Sequence, residues 1–160
     1  MVNEHIQKHQ LNEIVITPSH GVRDTTAFRH SVSRLKEDGH YSCFATGRTD
    51  NLQVHHICEF SLEHCFDFQK VKAFLLRHDP YGYSNLLKNT DITSIDDVRN
   101  MMVLTQEMHT GVDHEDGGSG IGLHETTWPA FVAQCVCKEG FNPVPQRGES
   151  TETVMKRESV

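Results

Sequence analysis

A chain of 160 residues is long enough to bury one core and short enough to fit a single domain. Hydrophobic residues make up 36% of it, and no apolar run approaches the length of a membrane span, so the sequence predicts no membrane partner. The formal net charge of -7 argues against a protein that coats nucleic acid through bulk charge, although a local basic face stays open.

Residues 1–23 are predicted to be an N-terminal extension, with little periodicity beyond Ile14-Val15-Ile16, a short strand before Pro18. A helix is predicted from Asp24 to Asp38. Thr25 or Thr26 caps it, Ala27, Phe28, Val32 and Leu35 form its apolar stripe, and Gly39 stops it. Tyr41 to Thr46 and Leu52 to Ile57 read as two short extended segments joined by the turn-rich stretch from Gly47 to Asn51. A second helix is predicted from Asp67 to Arg77, with Val71, Phe74, Leu75 and His78 at helical spacing and Pro80 beyond its end. Asp79 to Thr90 carries the residues of an ordered loop. Ser94 and Asp97 have the spacing of a capped turn that leads to Asn100.

Met101 to Leu104 is predicted as a strand, and Thr105 to Asp113 as a helix that ends before Gly117-Gly118, with Gly111 weakening it. Thr126 or Thr127 can cap a last helix carrying Phe131, Val132, Cys135 and Val136, with Pro129 tolerated in its first turn. Trp128 and Phe131 are expected in the core. Residues 142–160 are polar and charged, and a disordered tail is expected there. Helices around short strands in one unit predict an α+β domain over residues 24–141.

The five cysteines are odd in number and lack the spacing of a disulfide scaffold, so reduced thiols are expected. Cys43 reads as a small buried hydrophobe at a tight turn. Cys58, Cys65, Cys135 and Cys137 lack a Cys-x-x-Cys pair, which makes a structural zinc site a weak alternative. The first residues are polar and carry no secretory apolar stretch, so a cytoplasmic protein is expected.

Twelve histidines are an excess for this length, and three of them stand in a suggestive pattern with an asparagine. His55 and His56 close the apolar alternation Leu52-Gln53-Val54. Asn100 opens the run Met101 to Leu104, and His109 comes nine positions after it. Neighbours in an extended chain point to opposite sides, so His55 and His56 suit two jobs rather than one shared ion. One ring can bind a metal while the other acts as a base. His109 is the natural second ligand. On a continuous helix Asp113 at i+4 shares its face and His114 at i+5 is rotated away, so Asp113 is preferred as third ligand and His114 is the alternative. Two imidazoles and a carboxylate with open positions suit a catalytic divalent ion. Arg48, in the turn before the first histidines, is the best-placed basic residue for a phosphate contact.

Cys43-Phe-Ala-Thr-Gly47, Leu52-Gln-Val-His55-His56-Ile57 and the run from Asn100 to His109 resemble the HNH endonuclease family, the ββα-metal or His-Me finger nucleases. Gly118 to Gly122 and Thr127 to Phe131 resemble the stretch beyond the motif in phage-type members. The resemblance spans roughly residues 41–137. It implies a ββα-metal finger embedded in a mostly helical single domain, and the chain departs from the family pattern in a long insertion over residues 58–97. It implies a metal-dependent endonuclease that nicks or cuts DNA, encoded by a phage or mobile element and acting in the host cytoplasm. By the same resemblance His55 is the first metal ligand and His56 the base that deprotonates water. Asn100 is the residue that pins the loop between the strands, and His109 is the helix ligand. One divalent ion (Mg, Mn, Ni or Zn) is implied, with in-line attack leaving a 5′-phosphate. Asn85 and Asn89 are the rivals for the asparagine, because the insertion is long. The negative charge motivates the competing reading, a catalytically inactive binding or inhibitor protein with this fold. A homodimer or another protein partner is compatible with either.

Overall fold

The computed structural model describes residues 24–111, 122–123, 128–143, 148–149 and 153. The expected extension 1–23, the Gly117-Gly118 stop, the caps Thr126 and Thr127 and most of the expected tail lie outside these residues, as do Asp113 and His114. Helices and a small two-stranded antiparallel sheet make an α+β arrangement.

Helix α1 runs over Thr26–Glu37, and the Thr25 side chain caps it by accepting from the Phe28 amide at 3.0 Å. Strand β1 is Leu52–His56. Between β1 and its partner the chain forms a 3-10 helix over Phe60–Cys65, helix α2 over Phe68–Arg77 and the single turn α3 over Tyr83–Leu86. Asp67 caps α2 through the amides of Gln69 and Lys70. A last 3-10 turn, Val98–Asn100, is capped by Asp97 and delivers the chain to strand β2, Met101–Thr105. The four-residue helix α4, Gln106–His109, comes directly after it, and α5 covers Trp128–Val136.

The strands pair from Leu52 opposite Thr105 to His56 opposite Met101. Side chains alternate, so Val54, His56, Met101 and Val103 share one face, and Gln53, His55, Met102 and Leu104 share the other. The first face meets α1 and α3: Leu35, Tyr83, Val98, Met101 and Val103 form one buried cluster. A second cluster lies where α2 packs on α5. It is built from Val71, Phe74 and Leu75 against Val132, Ala133 and Val136, with Ile57, Cys58, Leu62 and Ile95 completing it.

Four expectations are corrected. Tyr41 to Thr46 is not a strand: Cys43 exchanges its backbone groups with Arg48 and Gly47 in a tight turn, and Phe44 touches the sheet by donating its amide to the Val103 carbonyl. The Asp79–Thr90 loop contains α3. Phe131 is half exposed and Cys135 is exposed, because the buried side of α5 is centred on Val132, Ala133 and Val136. The predicted Thr105–Asp113 helix ends at His109, because Gly111 takes a φ of 98°, which breaks the helical path. Cys43 itself is buried at its turn, as expected.

Candidate metal centre and base

His55 sits in β1 and His109 at the last position of α4, on the same side of the sheet. Their ring centroids lie 5.1 Å apart in an edge-on arrangement, and His55 is buried. Gln53, two residues before His55 and therefore on the same strand face, places its Oε1 2.7 Å from Nδ1 of His109. An amide oxygen can only accept, so Nδ1 carries the proton and Nε2 is the nitrogen with a lone pair. This is the outer-sphere arrangement that orients an imidazole for a metal.

His56 faces the opposite way. Its Nε2 lies 2.9 Å from Oδ1 of Asp96, and both side chains are almost wholly buried. Phe28 of α1 stacks over its ring at 5.5 Å between centroids, and Phe60 lies against it at 5.1 Å. Asp96 is held in turn from α1: Thr25 donates to its Oδ2 at 2.6 Å, and the Ser31 hydroxyl donates to its main-chain oxygen at 2.6 Å. The structure therefore joins His55 to His109 and gives His56 separate surroundings.

Asn100 is fully buried beneath the end of the sheet. Its Oδ1 accepts from the Cys58 amide at 2.7 Å, and its Nδ2 donates to the carbonyls of Cys58 and Ile95 at 3.0 and 2.9 Å. One side chain thus ties the chain leaving His56 to the residue preceding Asp96. The rivals do neither: Asn85 is exposed and bonds Asp79, and Asn89 is exposed.

Arg48 is half exposed and already engaged. Its guanidinium bonds Asp50 and reaches Oε1 of Glu107 at 3.4 Å, which links the turn before β1 to α4. Two carboxylates beside it offset the charge that a phosphate would need. Among the described residues no group of three or more His, Cys, Asp or Glu side chains is placed to hold a metal ion. His55 and His109 supply two donors, and the expected third, Asp113 or His114, lies outside the described residues. The helical i+4 argument for Asp113 loses its basis where α4 stops at His109. Burial, then the neighbouring Cys135, push the Cys58 thiol up, which opposes the thiolate that a zinc site requires.

Sequence reasoning missed Gln53 and Asp96. Gln53 carried a signal, since i and i+2 share a strand face. Asp96 carried none: nothing in its spacing distinguishes it from Asp97, which caps the next turn.

Residues 43–115 match the family model described as HNH endonuclease. This segment runs from the Cys43 turn through β1, the intervening helices, β2 and α4, and it contains Gln53, His55, His56, Asp96, Asn100 and His109. Over this segment the chain is similar to the HNH endonuclease family. The match stops short of the glycine-rich stretch and α5. Comparison with curated proteins and with solved structures gives no match. Among the described residues no helix is long and apolar enough to cross a membrane.

Proposed function

We propose that this protein is a metal-dependent endonuclease that hydrolyses DNA phosphodiester bonds, built on a ββα-metal finger made by β1, β2 and α4. The observation that carries the reading is the pairing of His55 with His109 across strand and helix, with Gln53 holding the second ring. Two imidazoles with one tautomer already fixed fit a divalent cation such as Mg, Mn, Ni or Zn. His55 and His109 would hold it, with Asp113 or His114 as third donor. A divalent ion there supplies Lewis-acid stabilisation of the charge developing at phosphorus and on the leaving oxygen.

The chain's own residues supply the rest. His56 is the base: Nε2 is committed to Asp96, so Nδ1 takes the proton from the attacking water. The water oxygen bonds to phosphorus as the bond to the 3′ oxygen breaks, and the product end keeps a 5′-phosphate. Asn100 holds together the two loops that carry His56 and Asp96. The net charge of -7 makes bulk attraction of DNA weak, so binding rests on local contacts. A phage or mobile-element origin and a second copy for double-strand cutting belong to this proposal.

One observation favours a second reading, a binding or inhibitor protein that keeps the finger without turnover: the His56 side chain is only 4% exposed, enclosed by Phe28 and Phe60. Plasmid relaxation separates the two. With Mg²⁺, Mn²⁺, Ni²⁺ or Zn²⁺ the nuclease relaxes supercoiled plasmid, and His56→Ala and His109→Ala abolish this. Plasmid left intact by the wild type with all four metals, together with tight association with a protein partner, establishes the second reading.

A further inference from the structure

Asp96 lies directly against the proposed base and is 1% exposed. A buried carboxylate is costly unless its oxygens are occupied. Here Oδ1 faces Nε2 of His56 and Oδ2 accepts the Thr25 hydroxyl. Its backbone is fixed on both sides: the amide donates to Ser94 Oγ at 3.1 Å and the carbonyl accepts from Ser31. The preceding carbonyl, that of Ile95, is held by Asn100. This carboxylate cannot drift away from the ring it contacts.

We infer that Asp96 is a positioning residue for His56, locking its ring in the tautomer that keeps the proton on Nε2 and the lone pair on Nδ1. The inference rests on the nuclease reading for its consequence and on geometry alone for the tautomer. A carboxylate accepts and does not donate, so the ring nitrogen facing it must carry hydrogen. During reaction that proton stays on Nε2, and the proton from water goes to Nδ1. An amide in place of the carboxylate can present its NH₂ group to Nε2 instead. The ring then carries its proton on Nδ1, where it blocks the base. Buried carboxylates that orient a histidine base act in this way in hydrolytic triads, where the Asn substitution lowers turnover by about 10⁴-fold.

Thr25 gives the arrangement a second consequence. It is both the N-cap of α1 and a donor to Asp96, so the start of α1 and the orientation of His56 are set by the same hydroxyl. The base is thereby coupled to a helix that precedes it in sequence and lies outside the family-matched segment.

The test has two arms. In the first, ¹⁵N NMR of the metal-free wild-type protein reads the tautomer of His56, its signals identified by their loss in His56→Gln. Hydrogen on Nε2 is expected, and hydrogen on Nδ1 overturns the inference, whether or not the protein cuts DNA. In the second, Asp96→Asn is compared with wild type in single-turnover plasmid nicking. The rate constant is expected to fall by about 10²–10⁴-fold, while DNA affinity and Ni²⁺ affinity by calorimetry stay within about twofold. Nicking at the wild-type rate overturns the inference, and so does a matching loss of Ni²⁺ affinity, which marks general disruption. If Asp96→Asn does not fold, Thr25→Val replaces it, with a smaller fall in the same rate constant expected and an unchanged rate overturning the inference. A wild type that never nicks overturns the nuclease reading and leaves the tautomer arm to decide the role of Asp96.

Discussion

At the scale of the residue, two hydrogen-bond acceptors set which imidazole nitrogen of the candidate site carries hydrogen. Gln53 and Asp96 do the same job on opposite faces of one strand, the first for His109 and the second for His56. Gln53→Ala leaves the sheet pairing intact and removes the acceptor at Nδ1 of His109. Loss of such a partner costs about 10–100-fold in metal affinity. Calorimetric titration with Ni²⁺ or Zn²⁺ is expected to show a weakening of that size with little change in the urea midpoint. Unchanged affinity would mean that Gln53 orients nothing. The histidines and Asn100 were legible in the sequence because a strand ending in two histidines, an asparagine and a helix histidine at fixed spacing is a specific pattern. Their partners were not legible, because hydrogen bonds across 40 and 56 residues leave no local trace.

At the scale of the element, α4 is too short to be stable by itself and is held by its surroundings. Arg48 ties it to the β1 turn through Glu107. Gly122 packs against its C-terminal end: a methyl group there would collide with the backbone carbonyl of His109 and the amide nitrogen of Gly111. Backbone atoms cannot step aside as a side chain can. Gly122→Ala is therefore expected to cost about 1–3 kcal/mol in urea unfolding and to weaken metal binding through displacement of His109. A variant as stable and as tightly metal-bound as wild type would refute this packing.

Helices α1 and α3 are joined by another element-level contact. The Tyr83 hydroxyl donates to Asp38 at 2.8 Å, with Arg34 bonded to the same carboxylate. Burial, then the Asp38 bond, push the Tyr83 phenol up from 10.0 to about 12. The folded value is the raised one, so this contribution to stability is complete below pH 10.0 and is lost as pH rises toward about 12. Tyr83→Phe should be less stable than wild type at about pH 9, with the difference shrinking by about pH 11.5. Urea midpoints at the two values check it, and a gap that widens with pH contradicts the assignment.

At the scale of the whole molecule, two buried clusters flank the sheet region, one under α1 and α3 and one between α2 and α5. Met101 and Val103 point into the first, and Met102, between them, packs against the second, so strand alternation brings β2 into both. The helical period of α2 showed in sequence because it buries the stripe Val71, Phe74 and Leu75, whereas α1 buries Leu35 of its expected stripe together with Ser31, with Phe28 and Val32 partly covered and Ala27 exposed. The Tyr41–Thr46 segment misled because its apolar residues serve a turn, with Cys43 buried and Phe44 exposed. The α5 stripe misled because Ala133 is buried where Phe131 was expected.

The order of residues along the chain determined the helices with clear caps and stripes, the second strand, and the family pattern of His55, His56, Asn100 and His109. These depend on contacts within a few residues or on spacing that a pattern preserves. The tertiary structure alone decided which residues of β1 stand opposite which of β2, that Gln53 holds the His109 ring, and that His56 turns toward Asp96. Those outcomes depend on how a long stretch between the strands folds back, and the free energy that settles it comes from burial shared among distant side chains.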